Sequence, residues 1–307
     1  MDTYLMDLTT EQINKKTSCI DMCSTSEILE MINSEDSLVP LAVKKEIPNI
    51  SEVVDTIVER IKKGGRLFYI GAGTSGRIGI LDASECPPTF GTDPELVQGV
   101  IAGGCDAIFK SVEGAEDSED MGRQVIHEKG ISKKDSIVGI TASGRTPFVL
   151  GAVREAKKIG AVTVGISSNS TSKINDEVDM AITPIVGPEV IAGSTRMKSG
   201  TAQKLILNMI TTSVMIKLGK VYGNLMVDLQ PNNEKLLHRA VRIVMYATRS
   251  DEGIAKKYLE ISGYNPKIAI VMINAEVNRE RAEKLLAKAW GFVSKAISFH
   301  KQECSNE

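Results

Sequence analysis

The sequence predicts an α/β fold: a doubly wound parallel sheet flanked by helices, with an N-terminal helical arm and a small C-terminal helical domain. Three observations carry that reading. Short apolar runs rich in β-branched residues alternate with helical patterns, as buried parallel strands do. Two of these runs end in turns rich in glycine and hydroxyls, each directly before a helix. Beyond Asn224 the pattern becomes helical and charged. These features set an arm over 1–49, a sheet domain over 50–225 and a helical domain over 226–307.

In chain order, the arm is polar and broken by Pro40 and Pro48, and STSEILEM at 24–31 starts a helix with a capping-box pattern. Apolar residues at 50, 53, 54, 57, 58 and 61 make an amphipathic helix that Gly64 and Gly65 end. A strand over 66–70 feeds the turn GAGTSG at 71–76, then a short helix, then Glu85 on a corner made by Pro87 and Pro88. A second strand follows at 96–101 and a helix at 117–128. The strand at 136–140 runs into TASGRTP, and Pro147 then sits in the first turn of a helix to 159, where its missing N–H costs nothing. Further strands lie at 161–166 and 180–184. A long apolar helix spans 200–218, and tail helices span 234–248, 251–261, 265–274 and 279–298.

Composition narrows the function. At 307 residues the chain can bury a core as one large or two modest domains. Its 37 basic and 39 acidic residues leave a net charge of −2, with no Lys/Arg run, which argues against nucleic acid and membrane surfaces as partners. The start lacks a basic segment followed by an apolar one, and no apolar stretch approaches about 18 residues, so a cytoplasmic protein is expected. The cysteines at 19, 23, 86, 105 and 304 are odd in number and scattered, which suits reduced thiols. Only three histidines accompany them, and none neighbours Cys86 in sequence, so neither a metal site, a cofactor nor thiol catalysis is expected.

The two turns carry the chemistry. GAGTSG formally matches the dinucleotide fingerprint GxGxxG, but the next strand ends IAGG, without the carboxylate that would bind a ribose. Thr74 and Ser75 make the turn an anion cradle of hydroxyls and backbone N–H groups. In the second turn Thr141, Ser143, Thr146 and the helix start can bind a phosphate, with Arg145 as counter-charge. Plain N-capping would account for Ser143 or Thr146 taken alone. Two such turns at one edge of a parallel sheet favour a phosphosugar pocket.

These blocks resemble a known family. GAGTSG with ASGRTP resembles the SIS (sugar isomerase) fold, which makes the expected sheet a SIS-type one. Together with LDASECPPTFG, VEGAEDS, ITPIVGPEVIAGSTRMKSGTAQK and GKVYGNLMVD, they look like the N-acetylmuramic acid 6-phosphate etherases. The resemblance implies cleavage of a lactyl ether from a phosphorylated amino sugar by elimination and water addition, in cell-wall recycling. It also implies catalytic roles for Glu85 and Glu116, with Glu85 protonating the departing lactate. Without the resemblance, Glu116 reads equally as a helix-start carboxylate. Ser194, Arg196 and Lys198 are candidate ligands for the substrate's anions. Since SIS folds usually pair, the resemblance implies a homodimer with its site at the subunit interface. An aldose–ketose isomerase or a non-catalytic phosphosugar sensor would share much of this pattern.

Overall fold

The computed structural model describes residues 8–229 and 234–305; residues 1–7 of the expected arm, and 230–233 and 306–307 of the expected helical domain, lie outside them. The chain divides into two compact units. One takes the residues up to Ser84 and Pro94–Thr211, the other Glu85–Asp93 and the chain from Thr212 on.

After three short 3-10 helices (Thr9–Glu11, Lys15–Thr17 and Ile20–Met22), the first unit continues with α1 (Thr25–Asp36), α2 (Val39–Lys45) and α3 (Ile47–Lys62). Ser24 caps α1 in the expected box: its Oγ accepts from the Glu27 N–H at 3.4 Å and the Glu27 carboxylate accepts from the Ser24 N–H at 2.7 Å. Pro40 and Pro48, expected as breaks, each stand in the first turn of a helix, where no N–H is needed. The α/β part follows as β1 (Leu67–Gly71), α4 (Gly73–Phe90), β2 (Val97–Ile101), α5 (Asp106–Phe109), α6 (Glu119–Glu128), β3 (Ser136–Ile140), α7 (Pro147–Ile159), β4 (Val162–Ile166), α8 (Lys173–Glu177), β5 (Met180–Ile182) and α9 (Lys198–Lys217).

The five strands form one parallel sheet in the order β2-β1-β3-β4-β5, the doubly wound arrangement expected. Every residue of β1, β3 and β4 is buried, which is why those strands read as nearly continuous apolar runs. Phe68, Ile70 and Ile137 pack there with Phe148, Val149 and Val153 of α7. Helices α6 and α7 approach backbone to backbone: a Cβ placed on Gly151 would stand 2.1 Å from the Glu119 carbonyl oxygen. Further along, Asp82 of α4 accepts from Asn208 at 2.5 Å and Thr211 at 3.3 Å on α9, fixing those two helices together.

One expectation fails at α4. In place of a short helix and a Pro-Pro corner, the helix runs 18 residues with Pro87 and Pro88 inside it. Proline's fixed φ is itself helical; what each removes is one hydrogen bond to the carbonyl four residues back. The carbonyls that lose their partners are those of Ala83 and Ser84, in the last two turns of the helix, and Glu85 sits on a helix rather than a bend.

In the second unit α10 (Glu234–Thr248), α11 (Glu252–Ile261), α12 (Pro266–Asn274), α13 (Arg279–Lys288) and α14 (Val293–Cys304) share a core of Val244, Leu259, Ile270, Met272, Leu285 and Val293. The single helix expected over 279–298 is two. Trp290 and Gly291 adopt φ of 55° and 80°, which a right-handed helix cannot pass through.

The α6–α7 contact gives a stability test. Gly151→Ala gains about 1 kcal/mol of helix propensity but forces overpacking that costs about 1–3 kcal/mol. Urea unfolding should show a lower midpoint for the variant; an equal or higher one means that α6 can move aside freely.

Candidate active site

The strand order turns back on itself between β1 and β3, and ligands of open α/β sheets bind outside the carboxyl ends of strands at such a point. The register sets Gly71, the last residue of β1, opposite Ile140, the last of β3. The two hydroxyl-rich turns therefore leave the sheet side by side. Thr74 and Ser75 lie in the first turn of α4, Thr74 half-buried and Ser75 buried.

The second turn is built on Thr141, which is 2% exposed. Its Oγ1 accepts from the Gly144 N–H at 3.2 Å and shares hydrogen bonds with the hydroxyls of Thr146 at 2.8 Å and Ser143 at 3.3 Å. Ser143 in turn accepts from the Arg145 N–H at 3.3 Å. Thr146 stands at the N-cap position of α7, yet its side chain makes no capping bond. Gly144 must be glycine: its φ is +73° and a Cβ would fall 2.0 Å from the Ser172 Cβ. Beneath the turn Asn169 donates to the Ala142 carbonyl at 3.0 Å and to Thr10 of the arm at 3.2 Å.

Glu116 is tied to this turn through its backbone. Its carbonyl accepts from the Phe148 N–H at 3.0 Å, one of the unpaired donors at the start of α7. Glu116 also lines a cavity of about 460 Å³, whose other walls include Ala72, Gly73 and Arg77 at the start of α4 and the segment from Lys110. That volume is ordinary for a small-molecule site. Arg77 holds the segment in place, donating from Nε to the Ile108 carbonyl at 2.9 Å and from Nη2 to the Lys110 carbonyl at 3.3 Å. The first unit thus gathers both turns and Glu116. Glu85 falls in the second unit, and its side chain, like that of Glu116, is exposed rather than buried.

The third block lies at the start of α9. A Cβ on Gly200 would stand 3.5 Å from the Thr74 Cγ2, so this helix begins beside the first turn. Ser194 is half-buried and Arg196 exposed. Lys198 is 1% exposed, and its ammonium meets Glu35 of α1 at 2.7 Å.

The model of the glucokinase regulatory protein N-terminal SIS domain matches residues 49–157, and that of the SIS domain matches 109–213. The N-acetylmuramic acid 6-phosphate etherase of Clostridium acetobutylicum is 61% identical over 297 residues, 97% of this chain and 98% of that one. The etherase of Caldanaerobacter subterraneus is 58% identical over 293 residues, covering 95% and 96%. The chain belongs to the N-acetylmuramic acid 6-phosphate etherase family. Among solved structures, a phosphoheptose isomerase from Francisella tularensis matches with a TM-score of 0.49 at 21% identity, over 63% of this chain and 100% of that one.

The chain also uses carboxylates that its local patterns do not reveal. Glu189, fully buried, accepts from the N–H groups of Lys198 and Ser199, both at 2.9 Å, and so caps α9 from nine residues upstream of Lys198. No capping spacing marks it. Glu35 accepts from Lys198, from Lys16 at 3.1 Å and from Asn14 at 2.9 Å, fastening the arm to the start of α9. Burial pushes the Glu35 carboxyl up, but the hydrogen bonds from Lys198 and Lys16, the Lys198 charge and Asn14 outweigh it and hold it below the ordinary carboxylate range.

A depressed carboxylate stabilises the fold above its unfolded value, about 4.3, and that contribution is lost as pH falls through the lower folded value. Lys198→Met removes the buried partner of Glu35 and leaves it Lys16 and Asn14, so it should cost about 1.5–3 kcal/mol at pH 7, with the gap to wild type narrowing below about pH 4. Urea titrations at both pH values check this; coincident curves at pH 7 would make the pair irrelevant to stability.

Proposed function

We propose that this chain cleaves the D-lactyl ether of N-acetylmuramic acid 6-phosphate by elimination and then water addition, giving N-acetylglucosamine 6-phosphate and D-lactate. The observation that carries the reading is the 61% identity to an etherase over 97% of this chain; the position of Glu116, in a cavity walled by the start of α4 and tied through its carbonyl to the start of α7, supports it. An alkyl ether at a sugar C3 resists direct hydrolysis at neutral pH. Opening the ring exposes an aldehyde at C1, which acidifies the C2 proton. A base takes that proton, the electron pair forms the C2–C3 double bond, and the C3–O bond breaks as an acid protonates the departing oxygen. Water then adds at C3. The scheme calls for two acid–base groups.

Glu116 suits the C2 proton or the incoming water, because its cavity is walled by Ala72 and Gly73 of the first turn and its carbonyl binds the first turn of α7. Glu85 is assigned the proton to lactate by the family resemblance. Thr74, Ser75, Thr141, Ser143 and Thr146 are assigned to the 6-phosphate with Arg145, and the Thr146 hydroxyl, unused as a cap, supports that role. Ser194 and Arg196 complete the candidate anion ligands; Lys198, expected among them, has its buried ammonium on Glu35 and is assigned to holding the start of α9 that follows them. A general acid at neutral pH needs its carboxyl shielded from water. With Glu85 and Glu116 both exposed in the single chain, a second copy or the substrate has to supply that cover, which favours a homodimer with an interfacial site. Among the described residues no helix is long and apolar enough to cross a membrane, and we place the enzyme in the cytoplasm, in cell-wall recycling.

Incubation with N-acetylmuramic acid 6-phosphate should release D-lactate, which a phosphosugar isomerase or sensor would not do. Glu85→Ala should nearly abolish release, and Glu116→Gln should lower kcat by about 10² or more, while ligand still raises the melting temperature of both. In D₂O the product should carry deuterium at C2; a product without it excludes proton abstraction there.

A further inference from the structure

We propose that Arg77 and Lys110 form the subsite for the substrate's lactyl carboxylate, and thereby select a lactyl ether over the same phosphosugar without one. The inference rests on the etherase reading and adds to it a place for the second anion. In the substrate only one carbon separates that carboxylate from the ether oxygen, so it lies within about 4 Å of C3, by bond lengths of about 1.5 Å. A carboxylate acting at C2 and C3 therefore shares its cavity with the lactyl carboxylate. The cavity beside Glu116 is also lined by Glu113, so a third negative charge entering it meets two others. A cation has to stand there.

Among the described residues lining the cavity the cations are Arg77 and Lys110. Arg145, Arg196 and Lys198 lie elsewhere, and the Lys198 ammonium faces Glu35. Arg77 commits Nε and Nη2 to the Ile108 and Lys110 carbonyls, which leaves Nη1 for a ligand and fixes the guanidinium as it does so. Lys110 is 67% exposed and pairs with Asp106 at 3.0 Å, one turn away on the surface. Such exposed pairs contribute little, so its ammonium can turn to an incoming carboxylate at small cost. A fixed planar fork and a mobile point charge together suit a carboxylate whose position shifts as the C3–O bond breaks.

The product N-acetylglucosamine 6-phosphate lacks the lactyl group and provides the control. Lys110→Met, at an exposed position with no buried partner, should raise KM for N-acetylmuramic acid 6-phosphate about tenfold, the size of one charge-assisted hydrogen bond. Binding of N-acetylglucosamine 6-phosphate, read by calorimetry, should stay within about twofold, and Lys110→Arg should restore KM. Arg77→Lys keeps the charge but loosens the segment carrying Glu116, so it should lower kcat as well. An unchanged KM in Lys110→Met overturns the proposal, and so does equal weakening of both ligands, which would mark a general field effect. A wild-type protein that releases no lactate overturns the etherase reading and this subsite with it, whereas lactate release with unchanged KM in the variant overturns the subsite alone.

Discussion

The parallel pairing of β1 with β3 is the constraint on which the site depends. Strand order reverses across that pair, so the chain leaves β1 toward one side of the sheet and β3 toward the other. Their carboxyl ends nevertheless remain level, Gly71 beside Ile140. Two helices thus start next to one another with their unpaired N–H groups facing the same edge. The hydroxyls of Thr74, Ser75, Thr141, Ser143 and Thr146 add donors at that edge without adding charge. Glu116 joins them because its carbonyl satisfies the Phe148 N–H, so the donor that would otherwise be orphaned also anchors the candidate catalytic segment.

Close packing preserves this arrangement. Gly144 lets the second turn press against Ser172, and Gly151 lets α7 lie on the backbone of α6, the helix that follows Glu116. The start of α9 is fixed differently, by buried charge. Glu189 accepts from its first N–H groups, and Lys198 reaches Glu35 on the arm. Buried ions paired this well add little net stability over apolar packing, but losing one partner is costly, so they act mainly to hold one geometry. Arg77 serves the same end with uncharged acceptors, the carbonyls of Ile108 and Lys110.

Much of the fold was legible in the sequence because it rests on local patterns. The buried strands have nearly continuous apolar runs, Ser24 and Glu27 form the box their spacing predicts, and the two glycine–hydroxyl turns follow strands as expected. Two local rules misled. Paired prolines suggested a corner at Glu85, yet prolines near the end of a helix forfeit only a few bonds. The periodicity over 279–298 ran unbroken through a left-handed step at Trp290 and Gly291. Long-range features left no trace in spacing at all. Glu35 meets Lys198 across 163 residues, and Arg77 finds carbonyls more than 30 residues away, so neither the arm's anchoring nor the cavity's cations could be read from the chain.

The central claim is that the paired turns hold the 6-phosphate and present the sugar's C2 to Glu116. A crystal structure of the wild-type protein with N-acetylglucosamine 6-phosphate tests it most directly. The phosphate oxygens should lie within hydrogen-bond reach, about 2.6–3.2 Å, of hydroxyls from both turns, with C2 facing the Glu116 carboxylate in the same cavity. A phosphate bound away from these turns, or a sugar whose C2 faces away from Glu116, would contradict the account.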